Sequence, residues 1–223
     1  SLAFWDKSSI ETDDRTIENT WYENLYIRRC AYRHDVIAPG LGLPSTVQDY
    51  SMWHGDYHMN FNYQQPFYGD YGSNHVEIGD SYFPGMAYSI EIGKAISEKY
   101  WDSPEGIFIP LSTYPFKMDK DPFGTGPMCR LAYCTGWVSN HYWSRFLHTW
   151  DLDWLRDVGY DVLRGCAQFY ADFLELREDG RYHAFPSVQG ESFFTGRVED
   201  YTDQPQVLRN IRYCMESAVR ASE

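Results

Sequence analysis

Apolar side chains recur at three- and four-residue spacing along most of the chain, a pattern typical of helices that bury one face. Residues 12 to 33 are predicted to form a helix, with Thr12 or Asp13 as its N-cap. Its inward-facing positions are Ile17, Trp21 and Leu25. A second helix is predicted to begin near Asp80.

The clearest helical pattern is the stretch DWLRDVGYDVLRGCAQFYADFLELREDG. Asp153 is predicted to cap this helix and Gly180 to end it. Its apolar stripe consists of Leu155, Val158, Val162, Cys166, Phe169 and Phe173. Further helices are predicted within GWVSNHYWSRFLHTW and after Pro205. Strand-like alternation is scarce, so the predicted fold class is mainly α, with helical hairpins joined by long, aromatic-rich loops.

One short stretch, MNFNYQ, places an amide at every second position. This spacing predicts an extended segment with Asn60, Asn62 and Gln64 on one face and Phe61 and Tyr63 on the other. An amide can donate to or accept from a hydroxyl group, and an aromatic ring can cover the C–H face of a sugar. The pattern favours a sugar-binding site. The alternative is that the amides satisfy loop backbone.

The charge of the chain narrows the choice of ligand. Asp and Glu number 32 against 19 Lys and Arg, a net charge of -13. Nucleic acids and anionic lipids need Lys and Arg to neutralise their phosphates, so neither is predicted as a partner. No apolar run is long enough to predict a membrane span. A neutral oligosaccharide or polysaccharide is the expected partner.

Sequence signals for metals and cofactors are weak. His54 and His58 have the four-residue spacing of a zinc-binding helix, but Gly55 stands where a metalloprotease needs its Glu. Cys129 and Cys134 lack a matching pair of ligands. We therefore predict no metal site and no cofactor, and the five cysteines are expected to be mainly buried thiols rather than a disulfide framework.

A second candidate site is the loop YHAFPSVQGESFF, which carries Glu191 among Phe185, Phe193 and Phe194. Apolar surroundings disfavour the charged form of a carboxyl group and keep its proton available near neutral pH. Glu191 therefore has the character of a general acid. The alternative is a solvated loop glutamate.

Three stretches together, WHGDYHMNFNYQ, GWVSNHYWSRFLHTWDLDWLRDVGYDVLRGCAQFYADFL and FPSVQGES, resemble glycoside hydrolase family 95, the α-L-fucosidase and α-L-galactosidase group. Their order and spacing are similar from about residue 16 to residue 215. The resemblance implies an (α/α)6 toroid of paired helices, a six-hairpin glycosidase fold. Residues 1–223 are then expected to be a single helical domain that forms a portion of such a toroid.

The resemblance also implies roles for individual residues. Glu191 corresponds to the general acid, and Asn60 and Asn62 to the amides that hold the sugar and orient the attacking water. The predicted substrate-binding residues are Trp53, His58, Gln64, His141 and Trp143.

The family's catalytic base is a carboxylate in a later helical segment. Either these residues belong to a larger catalytic domain or the base has been replaced, with Asp56 and Asp203 as candidates. The predicted function is an inverting glycoside hydrolase that releases a terminal fucose- or galactose-like sugar. A non-catalytic sugar-binding scaffold and a polysaccharide lyase are the alternatives. The substrate class favours an extracellular or periplasmic location.

Overall fold

The computed structural model describes residues 2–33, 35–41, 55–116, 131–188 and 201–223. Most of these residues are helical, and the strands are short. The helices are α1 (Leu2–Trp5), α2 (Arg15–Ala31), α3 (Tyr68–Gly72), α4 (Val76–Gly79), α5 (Tyr82–Trp101), α6 (Tyr133–Thr149), α7 (Leu152–Trp154), α8 (Tyr160–Phe173) and α9 (Pro205–Ser222). A 3-10 turn covers Gln65–Phe67, and a π-helical turn covers Leu155–Gly159. The strands are β1 (Tyr57–His58), β2 (Ser112–Thr113), β3 (Leu174–Leu176) and β4 (Tyr182–Ala184).

The core is built on α6, α8 and α9, which pack against one another, while α5 packs on α8. Gly136 of α6 lies against Asn210 of α9, and Trp143 lies beneath Arg220, so these two helices run in the same direction. The phenol of Tyr170, near the end of α8, contacts the start of α6, so α8 runs in the opposite direction. This alternation is consistent with part of an (α/α)6 toroid, and the mainly α fold class is confirmed.

The parallel helices α6 and α9 approach closely at Gly136. A Cβ atom at this position would lie 2.7 Å from the backbone oxygen of Asn210, closer than real Cβ contacts allow. The Tyr170 hydroxyl accepts a hydrogen bond from the Gly136 backbone N–H at 2.7 Å and donates one to the Ala132 carbonyl at 2.6 Å. The start of α6 is thereby fixed against both α8 and α9.

The predicted helix over residues 12 to 33 is present, with a different cap. Helix α2 covers Arg15–Ala31, and the Asp14 side chain accepts a hydrogen bond from the Thr16 backbone N–H at 2.7 Å. Leu25 is buried as predicted, whereas Ile17 is 53% exposed. No helix in the described part of the chain is long and apolar enough to cross a membrane.

The start of the long helical pattern around α8 also differs from its prediction. Asp151, rather than Asp153, caps the helix by accepting a hydrogen bond from the Trp154 backbone N–H at 3.0 Å. The π-helical turn at Leu155–Gly159 then shifts the helical phase, and Val158 is 42% exposed instead of buried.

The end of that pattern was also predicted incorrectly. Helix α8 ends at Phe173, and the chain continues into the antiparallel hairpin of β3 and β4. Gly180 lies in the turn of this hairpin with a φ of 76°, where the absence of a side chain avoids strain. The glycine therefore marks a hairpin turn rather than the helix end.

The predicted extended segment with alternating amides is wrong. Strand β1 covers two residues, paired with β2, and the chain turns immediately afterwards. Tyr63 N–H donates to the His58 carbonyl at 3.0 Å, and Gln65 N–H donates to the Phe61 carbonyl at 2.9 Å. Because these local hydrogen bonds coil the backbone, Asn60, Asn62 and Gln64 do not share one face.

Candidate active site

A cavity of about 250 Å³ lies between α3, α6 and α9. Its lining residues are mostly aromatic, with polar groups between them: Phe67, Tyr68, Tyr71, Trp137, Asn140, His141, Ser144 and Tyr213. Four of these come from α6 at positions three and four apart, so they share one face of that helix. Rings interspersed with a few polar groups are typical of sites for small uncharged ligands.

His141 is the most deeply placed polar residue of this cavity. Its ring lies 4.1 Å from that of Tyr82 and 5.7 Å from that of Phe67, and only 4% of the residue is exposed. Burial, and to a smaller extent the positive charge of Arg28, lowers the pKa of His141 to about 3. The imidazole is therefore neutral near neutral pH and can donate one hydrogen bond and accept another.

Two lining residues carry polar atoms with unmet hydrogen-bonding capacity. Within the described residues, neither Nε2 of His141 nor Oδ1 of Asn140 has a hydrogen-bond partner, and both atoms are buried. A buried polar atom without a partner costs about 1–3 kcal/mol.

The Asn60–Asn62 turn lies at one side of the cavity. The ring of Phe61, between the two amides, lies 6.2 Å from the ring of Trp137, whose Nε1 donates a hydrogen bond to the Tyr68 hydroxyl. Asn62 is exposed and Asn60 is half-buried. The backbone of the turn therefore passes beside the aromatic rim of the cavity.

Gln64 lies beneath this turn. It is fully buried, and its Nε2 donates to the Met59 carbonyl at 2.6 Å. This contact matches the alternative in which an amide satisfies loop backbone. Gln64 thus stabilises the turn that carries Asn60 and Asn62.

His58 is held in place by a buried carboxylate. Its Nδ1 lies 2.9 Å from Oδ2 and 3.2 Å from Oδ1 of Asp56, and Ser112 Oγ donates to the same carboxylate. The pair stands at the start of the turn, on β1 and the residue before it. Asp56 thereby fixes the orientation of the His58 ring.

Trp143 lies away from the cavity, although it is only two residues from His141. Side chains two residues apart on an α-helix point about 200° away from each other. The Trp143 ring packs against Phe146 at 5.3 Å and under the Arg220 guanidinium at 5.4 Å, and 3% of the residue is exposed. The structure therefore places Trp143 in the packing between α6 and α9.

Glu191 and Trp53 lie outside the described residues. The described ends of the segment that carries Glu191 are close together: Ser187 N–H donates to the Tyr201 carbonyl at 2.7 Å, and Gln204 N–H donates to Ser187 Oγ at 2.9 Å. Both ends of this segment lie beside the start of α9. Because α9 and α6 are parallel, they also lie on the side of the fold where α6 begins, and Trp137 is in the first turns of α6.

Asp203 connects the two flanks of the same segment, because it contacts His183 and Ala184 on the other flank. Its Oδ1 accepts a hydrogen bond from the Ala184 backbone N–H at 2.8 Å, and its Oδ2 lies 2.5 Å from Nδ1 of His183. Both oxygens of Asp203 are thus engaged, as are both oxygens of Asp56. Each of these two carboxylates therefore orients a histidine ring, and a carboxylate oxygen that accepts one hydrogen bond keeps a second lone pair besides the one engaged.

Other predicted features fall partly within the described residues. Cys134, Cys166 and Cys214 are buried free thiols, whereas Cys30 is exposed. Across the described ranges, no group of three or more His, Cys, Asp or Glu residues is arranged to hold a metal ion.

Seven lining residues were not among the predicted site residues: Phe67, Tyr68, Tyr71, Trp137, Asn140, Ser144 and Tyr213. Helical spacing was the available signal for those on α6. Trp137 lies four positions before His141 and Ser144 three after it, so a helix that directs His141 into a cavity brings both to the same side. Tyr68 and Tyr213 reach the cavity only through tertiary packing.

Comparison with known proteins identifies the family of this chain. Residues 45–220 match the glycosyl hydrolase family 95 catalytic domain. The chain belongs to glycosyl hydrolase family 95. The match includes the Asn60–Asn62 turn, helix α6 and the Glu191 segment, but it excludes α2.

Curated relatives of this family 95 chain are distant. Alpha-L-fucosidase 2 of Arabidopsis thaliana is 25% identical over 146 residues, which cover 66% of this chain and 17% of that protein. Probable alpha-fucosidase A of Aspergillus niger is 26% identical over 177 residues, covering 75% and 22%. Kojibiose hydrolase of Flavobacterium johnsoniae is 26% identical over 114 residues, covering 51% and 17%. The chain spans about a fifth of the length of these relatives.

Proposed function

We propose that this chain forms part of the catalytic domain of a glycoside hydrolase that releases a terminal sugar, fucose- or galactose-like, from a neutral glycan. The observation that carries the proposal is the position of the Asn60–Asn62 turn against Trp137, at the rim of an aromatic cavity within the family-matched region. Two of the relatives are named fucosidases, which supports the choice of sugar.

In the proposed reaction the terminal sugar occupies the cavity. Trp137 and Tyr68 cover its C–H faces, and Asn140 and neutral His141 bind its hydroxyls. Asn60 and Asn62 hold the sugar and the attacking water at the rim, and His58, oriented by Asp56, stands at the start of the same turn.

In the bond-breaking step, Glu191 is the proton donor. Its carboxyl proton passes to the glycosidic oxygen as the bond to the anomeric carbon breaks. A water molecule attacks that carbon from the opposite face and loses its proton to a carboxylate base. An inverting reaction of this kind requires carboxyl groups roughly 6.5–9.5 Å apart, so that the water fits between them.

The test is release of sugar from a panel of aryl glycosides that includes the α-L-fucoside and the α-L-galactoside. Glu191→Gln should lower turnover about 10²- to 10⁴-fold, the usual contribution of general acid–base catalysis. Glu178→Gln, on the exposed turn between β3 and β4, is the matched control and should retain activity. NMR of the first-formed anomer tests inversion.

Each other outcome has a distinct meaning. Turnover that survives Glu191→Gln would contradict the role of Glu191. Retention of the anomeric configuration would contradict the inverting step. Stabilisation of the wild-type protein by a sugar with no turnover of any glycoside would indicate a sugar-binding scaffold instead of a hydrolase.

A further inference from the structure

A second groove, of about 420 Å³, lies between α2 and α3. Tyr68 lines both this groove and the cavity described above. The Tyr68 residue is 52% exposed, and its hydroxyl is held by Trp137. The two spaces therefore meet at a single aromatic side chain fixed in position by a hydrogen bond.

The lining of this groove resembles that of the cavity in its chemistry. Trp21 and Asn24 of α2 face Gln65 and Tyr68 across it. Asn24 uses its Nδ2 to donate to the Thr20 carbonyl at 2.7 Å, so its Oδ1 remains the acceptor. Two rings and two amides again match the C–H faces and hydroxyls of a sugar.

Charge in the groove is balanced. Arg28 lines it, and its guanidinium is paired with Asp70, with Nε 3.2 Å from Oδ1. Within the described residues, Nη1 of Arg28 is buried and has no hydrogen-bond partner. Because the pair carries no net charge, the groove has no preference for an anionic ligand.

Arg28 also connects the two spaces. Its guanidinium lies 4.7 Å from the centre of the Phe67 ring, and Phe67 lines the cavity on its other side. Phe67 and Tyr68 are consecutive residues, so one short stretch of chain forms the shared wall. Tyr68 is thus the side chain through which one bound oligosaccharide would contact both spaces.

We propose that this groove binds the sugar unit on the leaving-group side of the scissile bond, so that α2 contributes to recognition of neutral oligosaccharides. This inference rests on the proposed function, because it places the terminal sugar in the cavity. Helix α2 lies outside the residues that match the family, so the groove combines family-matched residues with a helix that precedes them.

The experiment compares long and short ligands. Affinities are measured by calorimetry for 2′-fucosyllactose against methyl α-L-fucoside, and for kojibiose against methyl α-D-glucoside. Trp21→Ala should weaken binding of the longer member of a pair by about 2- to 10-fold, the range for one aromatic contact, and leave the methyl glycoside unchanged. Asn24→Ala, an exposed position, should act in the same direction without disturbing the core.

Tyr26→Ala is the matched control, because Tyr26 lies on α2, is 61% exposed and is not among the residues that line the groove. Its affinity for both members of each pair should equal that of the wild type. Thermal unfolding of all variants separates loss of binding from loss of folding.

The outcomes separate the inference from the proposed function. Unchanged affinity for the longer ligands in both Trp21→Ala and Asn24→Ala would overturn the groove, while loss of methyl glycoside binding in Trp137→Ala would still support the cavity. Equal weakening of long and short ligands would also overturn the groove as a separate subsite. A wild-type protein that binds no member of either pair would overturn both.

Discussion

Asp56 and His58 form a buried carboxylate–imidazole pair directly before the turn that carries Asn60 and Asn62. Nδ1 of His58 lies 2.9 Å from Oδ2 of Asp56. His58 is 9% exposed and Asp56 is 3% exposed. A ring nitrogen beside a carboxylate carries the proton, so the pair fixes one tautomer of the histidine. The orientation of the His58 ring therefore depends on Asp56, which is itself buried.

Asp56→Asn should disturb the tautomer of His58 and lower stability. The amide keeps the shape of the carboxylate but loses the charge that holds the Nδ1 proton. A hydrogen bond to a charged group contributes about 1.5–3 kcal/mol, and we expect a loss of that size in the free energy of unfolding. Chemical denaturation measures the loss, and ¹⁵N shifts of the ring report the tautomer. Unchanged ring shifts would contradict the positioning role.

His141 should make the protein less stable in mild acid. Its pKa is about 3 in the folded chain, against 6.5 for an unperturbed histidine, because burial disfavours the charged ring. Below pH 6.5 the unfolded chain binds a proton that the folded chain does not. The free energy of unfolding should therefore fall by about 2 kcal/mol from pH 7 to pH 5 on account of this residue.

Denaturation of His141→Phe at both pH values isolates this effect. The phenyl ring keeps the packing against Tyr82 and does not titrate, so the acid-dependent loss should shrink by the stated amount. An identical loss in wild type and His141→Phe would show that His141 is protonated in the folded chain.

His183 should titrate in the opposite direction. Hydrogen bonds to Asp203, and secondarily to Asp179, raise the pKa of His183. Its contribution to stability is fully present below pH 6.5 and is lost as the pH rises through the raised value. NMR titration should find the His183 pKa above 6.5 in the wild type and lower in Asp203→Asn. If the His183 pKa stays unchanged in Asp203→Asn, the His183–Asp203 hydrogen bond does not hold together the two ends of the segment that carries Glu191.

Arg145 should be important for stability. It is 6% exposed, binds Asp80 through two nitrogens at 3.2 Å each and Asp151 at 3.0 Å, and its guanidinium lies 4.4 Å from the Trp154 ring. The side chains of Asp80 and Asp151 are 25% and 42% exposed, so solvent screens part of this network, and Arg145→Met should lower the free energy of unfolding by about 1–3 kcal/mol.

Arg156→Met is the matched control for this prediction, because the Arg156 side chain is 67% exposed in its ion pairs. Solvent screens the charges of an exposed ion pair, so this variant should unfold nearly as the wild type does. Similar losses in the two variants would show that the buried network adds nothing beyond surface pairing.

The helices could be predicted from local spacing because each buries one face. Leu25 in α2 and Val207 and Ile211 in α9 occupy the apolar positions of their patterns, and all three are buried. The same rule failed at Val158, because the π-helical turn inserts an extra residue into the repeat. Hydrogen bonds of the neighbouring backbone, rather than side-chain spacing, set the helical phase there.

The candidate site could be predicted only in part. The motif marked Asn60 and Asn62, yet alternation alone placed Gln64 beside them, whereas the fold buries Gln64 beneath the turn. Pro66 within the 3-10 turn and the local hydrogen bonds of Tyr63 and Gln65 decide this geometry. A period of two describes an extended strand, and it has no meaning once the chain coils.

The sequence by itself determined the mainly α class, the family and the residue types suited to a neutral sugar, because periodicity, motif order and charge are local or additive properties of the chain. The tertiary structure decided which of these residues meet. Tyr213 of α9 reaches the same cavity as Tyr68 of α3, and Trp21 of α2 faces Gln65 across the groove. Such contacts join positions far apart in the chain, so they depend on how the helices pack and on which buried polar groups that packing satisfies.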